Sequence, residues 1–380
     1  MPLGAKYATW LLAALLCAVQ MIKPDNRKAF WREPVALPAA LLVGWLALSG
    51  LWSPAPVTWV ASQTGLYALM LGLPLIASML STAVGAAALR HFCWASGVVG
   101  LLFVMEPLSL LPPSLLWHTT VDAEGNQRIA NSLLLALGVA FSLWHGAQTK
   151  ALKPRLGWIV LAAVTALGLA LQDRRTGFVV LPLALLAWAL ALQTGWRRRL
   201  LTVLGILLCT ALVWEASDNV RARFDEGLRE IRQYQSADSV STSWGQRLRM
   251  TQITGEMVAE NPLHGHGMAS WKLLWQQRTT PGTQLHGQTT PHDEYLLLAA
   301  QAGLPAVLLW LWLLGAGLRS AVRAGMAGMP ALMLWVSFAC AAFFNVVLRD
   351  AKFSLPLLMV AAFCMAVQRA GGLLDAAERN

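Results

Sequence analysis

Residues 291–318 read PHDEYLLLAAQAGLPAVLLWLWLLGAGL, a change within a few positions from a polar segment to a long apolar run. A helix needs about 20 predominantly apolar residues to cross a bilayer core of about 30 Å. The run that begins at Asp293 reaches this length. Similar runs, separated by short basic or Pro- and Gly-rich breaks, recur along nearly the whole chain. The sequence therefore predicts a protein that crosses a membrane many times.

The composition agrees with this prediction. Of 380 residues, 57% are hydrophobic and 13% are charged, against about 25% charged in an ordinary soluble domain. Backbone groups in lipid must pair internally, and these runs lack the period-two alternation of a β-barrel. We expect an all-α, polytopic transmembrane helical bundle of about 11–12 spans. We place eleven spans at residues 7–22, 35–52, 57–80, 89–112, 129–147, 157–173, 176–194, 200–214, 293–318, 330–348 and 353–368.

One long polar segment, residues 215–292, divides the chain. We expect amino-terminal transmembrane helices over residues 1–214, a loop region with surface helices over 215–292, and carboxy-terminal transmembrane helices over 293–380.

Three helices are predicted inside the loop region. Apolar residues at helical spacing predict one over residues 218–235. A capping box at residues 243–246 opens a second, which runs to about Glu260. A third is expected over residues 268–277, with Trp271 and Trp275 on a face suited to the membrane surface.

Basic clusters predict the orientation of the chain. Four clusters fall on the same side of the eleven-span arrangement, and the positive-inside rule makes that side cytoplasmic. The loop region is then periplasmic or extracellular, and the amino terminus lies outside. The clusters are Lys23, Arg27, Lys28 and Arg32; Lys150, Lys153 and Arg155; Arg197, Arg198 and Arg199; and Arg319 with Arg323.

Several classes of function are excluded or disfavoured. The net charge of +10 is explained by these clusters, so we expect no nucleic-acid partner. All five cysteines lie in apolar spans, so we expect neither a disulfide framework nor a thiolate metal site. The first apolar run shows no cleavage signal and is expected to be a retained helix.

Three arginines are candidates for binding phosphate. Arg174 and Arg175 lie between two apolar spans on the predicted outer side, and guanidinium groups match phosphate bidentately. The alternative for both is lipid-headgroup anchoring. Arg247 lies in the first turn of the second loop helix, whose N-terminus also favours anions. Arg249 is its rival, although a solvated surface position is the more usual explanation for it.

His292 precedes the apolar run of residues 293–318, with Asp293 and Glu294 in positions favourable for acids. It could be a structural cap or a proton acceptor. His264, His266, His286 and His292 invite a zinc hypothesis, but no cysteine accompanies them and their spacing fits no standard site. We therefore expect no bound metal.

Four stretches carry a resemblance to the O-antigen ligase and polymerase superfamily of bacterial membrane glycosyltransferases. They are QDRRTG at 172–177, SWGQR at 243–247, NPLHGHG at 261–267, and HDEYL at 292–296 with GLP at 303–305. The resemblance covers roughly residues 160 to 320. Ala306 stands where many members carry a second glycine, and Asp293 where asparagine or serine is common.

The resemblance implies transfer of a glycan from undecaprenyl diphosphate to a sugar hydroxyl at the periplasmic face of the bacterial inner membrane. For a ligase, the acceptor is the lipid A–core oligosaccharide. The implied catalytic residues are Arg175 and Arg247, which would stabilise the leaving diphosphate, and His292, which would activate the acceptor hydroxyl. No cofactor is implied. The implied substrate-binding residues are Arg174, Gly265, Gly267, Asp293 and Tyr295.

Three alternatives remain at this point. An O-antigen polymerase would use the same donor, but such enzymes often have two sizeable outer loops, and the other outer segment, 113–128, is short. A protein O-oligosaccharyltransferase would act on protein acceptors. A lipid-linked sugar transporter would need mid-membrane polar groups and often repeated halves, whereas only Glu106 and Asn345 are mid-span candidates.

Overall fold

The computed structural model describes residues 3–111, 120–121, 123, 125–172, 175–192, 195–216, 221–222, 225–226, 228–229, 243–283 and 285–377. Every regular element within these ranges is helical, as predicted. The helices are α1 (Leu3–Gln20), α2 (Pro24–Arg32), α3 (Ala36–Ser49), α4 (Val57–Ala68), α5 (Gly72–Met79), α6 (Thr82–Met105), α7 (Gly125–Gln148), α8 (Leu152–Leu171), α9 (Arg175–Leu192), α10 (Trp196–Ala216), α11 (Ser243–Glu260), α12 (Ser270–Arg278), α13 (Glu294–Arg323), α14 (Gly325–Ala342) and α15 (Ala351–Ala377).

Among the described residues, seven helical segments are long and apolar enough to cross a membrane, or eight if the bent pair α2–α3 forms one span. The seven are α4 with α5, α6, α7, α8, α13, α14 and α15 up to Arg369. They confirm a polytopic helical membrane protein. The other predicted spans, at 7–22, 35–52, 176–194 and 200–214, coincide with α1, α3, α9 and α10.

Helix α6 lies seven residues earlier than predicted, at Thr82–Met105 instead of 89–112. Ser81 caps its start, since the Ser81 side chain accepts a hydrogen bond from the Val84 N–H at 3.3 Å. Pro107 follows its end, and proline does not continue a helix. Arg90 and His91 lie inside α6 with exposed side chains, so the helix extends on the N-terminal side of these polar residues.

Contacts between helix ends define two opposite sides of the helical bundle. On one side, called the loop side, the Trp52 indole N–H donates to the His264 carbonyl at 3.2 Å, and the Ser53 hydroxyl to the Met268 carbonyl at 2.6 Å. On the other, called the basic side, Arg32, Arg319 and Arg323 line one pocket. Two of the four predicted cytoplasmic clusters therefore meet in space.

Helix α13 is broken in its amino-terminal half, at Gly303. Gly303 adopts φ 72° and ψ −175°, and Pro305 lacks the N–H that would bond to the Gln301 carbonyl. A turn formed by residues 261–269 fills the break. The bonds are His266 N–H to Ala300 O at 2.9 Å, Gly267 N–H to Gln301 O at 2.7 Å, and Leu304 N–H to Pro262 O at 2.9 Å. The Trp45 indole N–H donates to Ala302 O at 2.8 Å. Non-helical backbone inside a membrane protein is thus satisfied by protein groups.

Two of the three predicted loop helices are confirmed, as α11 and α12. The third, over residues 218–235, falls largely outside the described residues. The predicted membrane-facing position of Trp271 and Trp275 is wrong. Both side chains are fully buried and their rings stack at 4.9 Å. Their indole N–H groups donate to Thr254 Oγ1 and Leu285 O, because α12 packs against α11 and the start of α13 in a second hydrophobic core.

Candidate functional site

The start of α13 holds His292 in an unusual backbone conformation. Asp293 caps the helix, and its Oδ1 accepts from the Leu296 N–H at 2.9 Å. Burial raises the pKa of the Asp293 carboxyl to about 6, against the lowering effect of these backbone hydrogen bonds. His292 just before it has φ 55°, a left-handed conformation that costs a residue with a Cβ about 1–2 kcal/mol. Such strain persists only where the surrounding structure holds it.

Arg247 and Asp350 both act electrostatically on His292. Burial is the largest influence on the imidazole and lowers its pKa to about 4. The positive charge of Arg247 lowers the pKa further, whereas the negative charge of Asp350 raises it. Residues from α11, from the start of α13 and from the connection between α14 and α15 therefore meet at one place. The imidazole is neutral there at physiological pH.

Asp350 is held in a defined position. Its Oδ2 accepts from the Asn126 side-chain amide at 2.6 Å, and its Oδ1 from the Lys352 N–H at 2.9 Å. The neighbouring Arg349 donates to the Thr289 carbonyl at 3.1 Å, while its buried Nε has no hydrogen-bond partner. A guanidinium group with spare donor capacity therefore lies next to the carboxylate that faces His292.

Glu294 connects this region to the bundle. Its side chain is completely buried and accepts hydrogen bonds from the Tyr67 hydroxyl at 2.6 Å and the Leu348 N–H at 2.8 Å. One carboxylate thus joins α4, the start of α13 and the residues that lead into Arg349. This explains how Asp350 and His292, distant in sequence, keep a fixed relation.

Three of the predicted substrate-binding residues, Gly265, Gly267 and Tyr295, pack against other parts of the protein. An added Cβ at Gly265 would lie 2.5 Å from the Gln301 carbonyl carbon, and one at Gly267 would lie 2.4 Å from the Ser53 Cα. Tyr295 stacks on Phe343 at 4.3 Å and donates to the Ala339 carbonyl at 3.0 Å. These contacts position the 261–269 turn and α13, and substrate binding by the three residues stays a prediction.

The structure does not describe the other two predicted arginine side chains. Arg174 lies outside the described residues, and Arg175 is the first residue of α9, with its side chain not described. The structure nevertheless describes the position of the α9 backbone. A Cβ at Gly177 would lie 2.7 Å from the Ser132 carbonyl, so α9 begins against α7, whose first turn contains Asn126, the partner of Asp350.

The four histidines of the zinc hypothesis do not converge. His266 Nε2 donates to the Met257 carbonyl at 2.8 Å, His264 Nδ1 to the Gly265 carbonyl at 2.8 Å, and His286 Nδ1 lies 3.1 Å from Thr279 Oγ1. Within the described ranges, no group of three or more His, Cys, Asp or Glu side chains is arranged to hold a metal ion.

The sequence reasoning missed Arg349, Asp350 and Lys6. Arg349 and Asp350 are adjacent charges between two apolar spans on the predicted outer side, which is the same signal that singled out Arg174 and Arg175. Lys6 donates to Gln127 Oε1 at 3.0 Å. It lines a cavity of about 570 Å³, which also contains Asn131 and continues along apolar residues of α6 and α15.

The fold and the site together define a class of protein: a membrane-embedded helical bundle with a polar site at the start of one span. The family model described as O-antigen ligase matches residues 160–311, the part of the chain that contains Arg175, Arg247, His292 and the α13 break. Over these residues the chain is similar to the O-antigen ligase and polymerase superfamily, whose members are membrane glycosyltransferase-like enzymes. Among curated proteins, none matches the chain.

Proposed function

We propose that the protein is an O-antigen ligase that transfers a glycan from undecaprenyl diphosphate to the lipid A–core oligosaccharide. The reaction takes place at the periplasmic face of the bacterial inner membrane, where the loop region 215–292 covers the transmembrane helices of residues 1–214 and 293–380. The observation that carries the proposal is a partly buried His292 with a left-handed backbone at the start of α13, within the residues that the O-antigen ligase family model matches.

The proposed chemistry is direct displacement. The acceptor hydroxyl oxygen attacks the anomeric carbon, the bond from that carbon to the diphosphate oxygen breaks, and the configuration inverts. His292 takes the hydroxyl proton, and the diphosphate leaves with the bonding electron pair. Arg175 and Arg247 stabilise the charge that develops on the phosphate oxygens, and fixed cations in a site shielded from water are effective in this role.

The low pKa of His292 fits this order of events. Without donor, the positive charge of Arg247 disfavours an imidazolium ion. A diphosphate bound at Arg247 offsets that charge and raises the pKa of His292, so the imidazole becomes a better proton acceptor when the donor is present. Asp350 then stabilises the imidazolium, because its negative charge already raises the pKa of His292.

The cavity next to Lys6 offers a place for the lipid part of the donor. Its walls are mostly apolar residues of α1, α6, α7 and α15, and its polar end contains Lys6, Gln127 and Asn131. Because Asp350 influences the pKa of both Lys6 and His292, this polar end lies near the site. We propose that the isoprenoid chain occupies the cavity while the diphosphate reaches Arg247. Arg174 is the proposed additional phosphate contact.

The test is transfer in vitro by purified full-length protein, with undecaprenyl-diphosphate-linked glycan, lipid A–core and EDTA. We expect glycosylated lipid A–core, with rates reduced about a hundredfold or more in Arg175→Gln, Arg247→Gln and His292→Asn. Arg249→Gln is the matched control, because Arg249 lies on the same helix and bonds only to Gln252 among its described contacts.

The possible products separate the alternatives. Longer carrier-linked glycans without core product would make the protein a polymerase. Glycosylated protein acceptors would make it a protein O-oligosaccharyltransferase. Loss of the product in EDTA would contradict metal-independent transfer, and full activity of Arg247→Gln would remove Arg247 from the mechanism.

A further inference from the structure

A second large pocket lies on the basic side, at the end of α13 opposite to His292. Its volume is about 1280 Å³. Helix α13 contains 30 residues, and its part beyond the break at Gly303 alone extends over roughly 30 Å at 1.5 Å per residue. The pocket is therefore separate from the candidate site. Its polar lining consists chiefly of Arg32, Glu33, Arg319, Arg323, Gln368 and Arg369.

Within the described ranges, ion pairs with acidic side chains neutralise only part of the positive charge of this pocket. Glu33 is buried and pairs with Arg369 at 2.9 Å, and Arg369 also donates to the Leu80 carbonyl. The other three arginines have no acidic partner in the part of the chain that the structure describes. The positive-inside rule explains arginines on this side of the membrane, but it does not explain their convergence around a cavity.

Gln368 supplies an independent sign of a ligand. Its side chain is only 5% exposed, and its Nε2 donates to Ser320 Oγ at 2.8 Å. Its Oε1 is buried and has no hydrogen-bond partner among the residues that the structure describes, although Gln368 lines the pocket. An unsatisfied buried acceptor is unfavourable, because the oxygen has lost its hydrogen bonds to water. A ligand that brings a hydroxyl donor to Gln368 would remove this penalty.

The pocket also has an apolar part. Trp312 is 46% exposed on α13, and Gly315 and Ala316 continue the lining towards Arg319. An added Cβ at Gly315 would meet nothing within 4 Å, so small residues next to an exposed indole ring leave space that we call the groove. Arg319 and Arg323 on α13 and Gln368 on α15 thus line the same pocket as this apolar part.

We propose that this pocket binds an anionic phospholipid with a glycerol headgroup. The phosphodiester lies among Arg32, Arg319 and Arg323, a headgroup hydroxyl donates to Gln368 Oε1, and an acyl chain follows the groove beside Trp312. Basic pockets between transmembrane helices on the cytoplasmic side recognise lipid headgroups by this combination of charge and depth.

The test measures lipid binding by full-length protein in phosphatidylcholine nanodiscs, titrated with short-chain phosphatidylglycerol. We expect Arg319→Gln/Arg323→Gln to weaken binding roughly 30-fold. The matched control is Arg155→Gln/Arg198→Gln, which removes two exposed arginines from the same side of the membrane but outside the pocket, and we expect a change below twofold. Equal losses in both double variants would overturn the proposal, because binding would then follow bulk charge.

A second probe tests the headgroup. Phosphatidylmethanol keeps the phosphodiester and lacks the headgroup hydroxyls. We expect it to bind about fivefold more weakly than phosphatidylglycerol, and Gln368→Met to abolish this difference. Equal binding of the two lipids to the unchanged protein would refute the role of Gln368. Displacement of phosphatidylglycerol by inorganic pyrophosphate at comparable concentration would overturn a lipid site in favour of a soluble anion site.

Discussion

The 261–269 turn should be highly sensitive to a single added methyl group at Gly267. This glycine has φ 92°, and an added Cβ would lie 2.4 Å from the Ser53 Cα and 2.6 Å from the Ser53 N. Both neighbours are backbone atoms, which cannot rotate away. The left-handed conformation costs alanine about 1–2 kcal/mol, and overpacking typically costs about 1–3 kcal/mol.

Moving the turn away from Ser53 would also weaken two hydrogen bonds, from Gly267 N–H to Gln301 O and from the Ser53 hydroxyl to Met268 O. Each contributes about 0.5–1.5 kcal/mol. Gly267→Ala should therefore destabilise the protein by about 3–6 kcal/mol. At about 2 °C per kcal/mol for a chain of this size, its apparent Tm should fall by roughly 6–12 °C.

The assay is thermal unfolding of purified protein in detergent at one fixed heating rate, with two control variants. Gly282 also has a positive φ, 83°, but nothing lies within 4 Å of an added Cβ, so Gly282→Ala should lower the apparent Tm by roughly 2–4 °C. Gly255 lies inside α11 with open space around it, so Gly255→Ala should raise stability slightly. If Gly267→Ala and Gly282→Ala lower the apparent Tm equally, the reasoning about backbone contact is wrong.

Three further predictions concern the site. His292→Asn should leave expression and apparent Tm nearly unchanged while transfer is lost, since asparagine tolerates a left-handed backbone; a large fall in Tm would mean that the imidazole is needed for folding. The pKa of His292 is lowered to about 4, so the acidic limb of kcat/KM should lie well below pH 6.5, and Asp350→Asn should move it to still lower pH by removing a charge that raises this pKa; a limb at pH 6.5 in both proteins would refute the assignment. Tyr67→Phe removes the side-chain hydrogen bond from Tyr67 to buried Glu294 and should cost about 1–3 kcal/mol, visible as a lower apparent Tm; an unchanged Tm would show that this bond contributes nothing.

Local patterns in the sequence were sufficient for much of the fold. Apolar runs located the helices, and the capping box at residues 243–246 located the start of α11, because both signals depend on neighbouring residues only. The helix near Trp271 was likewise found. The sequence did not predict the orientation of this helix, because a face with two tryptophans can pack against lipid or against protein. In the structure it packs against α11 and the start of α13.

Some residues of the candidate site could be predicted from the sequence, and others could not. His292 and Arg247 were found from their motifs, and their electrostatic coupling agrees with a common site. Asp350 was missed because it meets His292 only through the folded bundle, by way of Glu294 and the Leu348 N–H. The motif at 261–267 was recognised in the sequence, but the role of the 261–269 turn as the partner of the α13 break depends on contacts with residues 300–304, which no local pattern reveals.

The break in α13 also has a consequence for biosynthesis. A span that contains Gly303 and Pro305 enters the bilayer with carbonyl groups that its own backbone does not satisfy, and unsatisfied groups are expensive in hydrocarbon. The 261–269 turn satisfies the carbonyl groups of Ala300 and Gln301, precedes this span in the chain and is therefore synthesised first. Insertion of the span and docking of the turn should accordingly be a single coupled step, so that a change in the turn would reduce the yield of correctly inserted protein before any effect on its reaction could be measured.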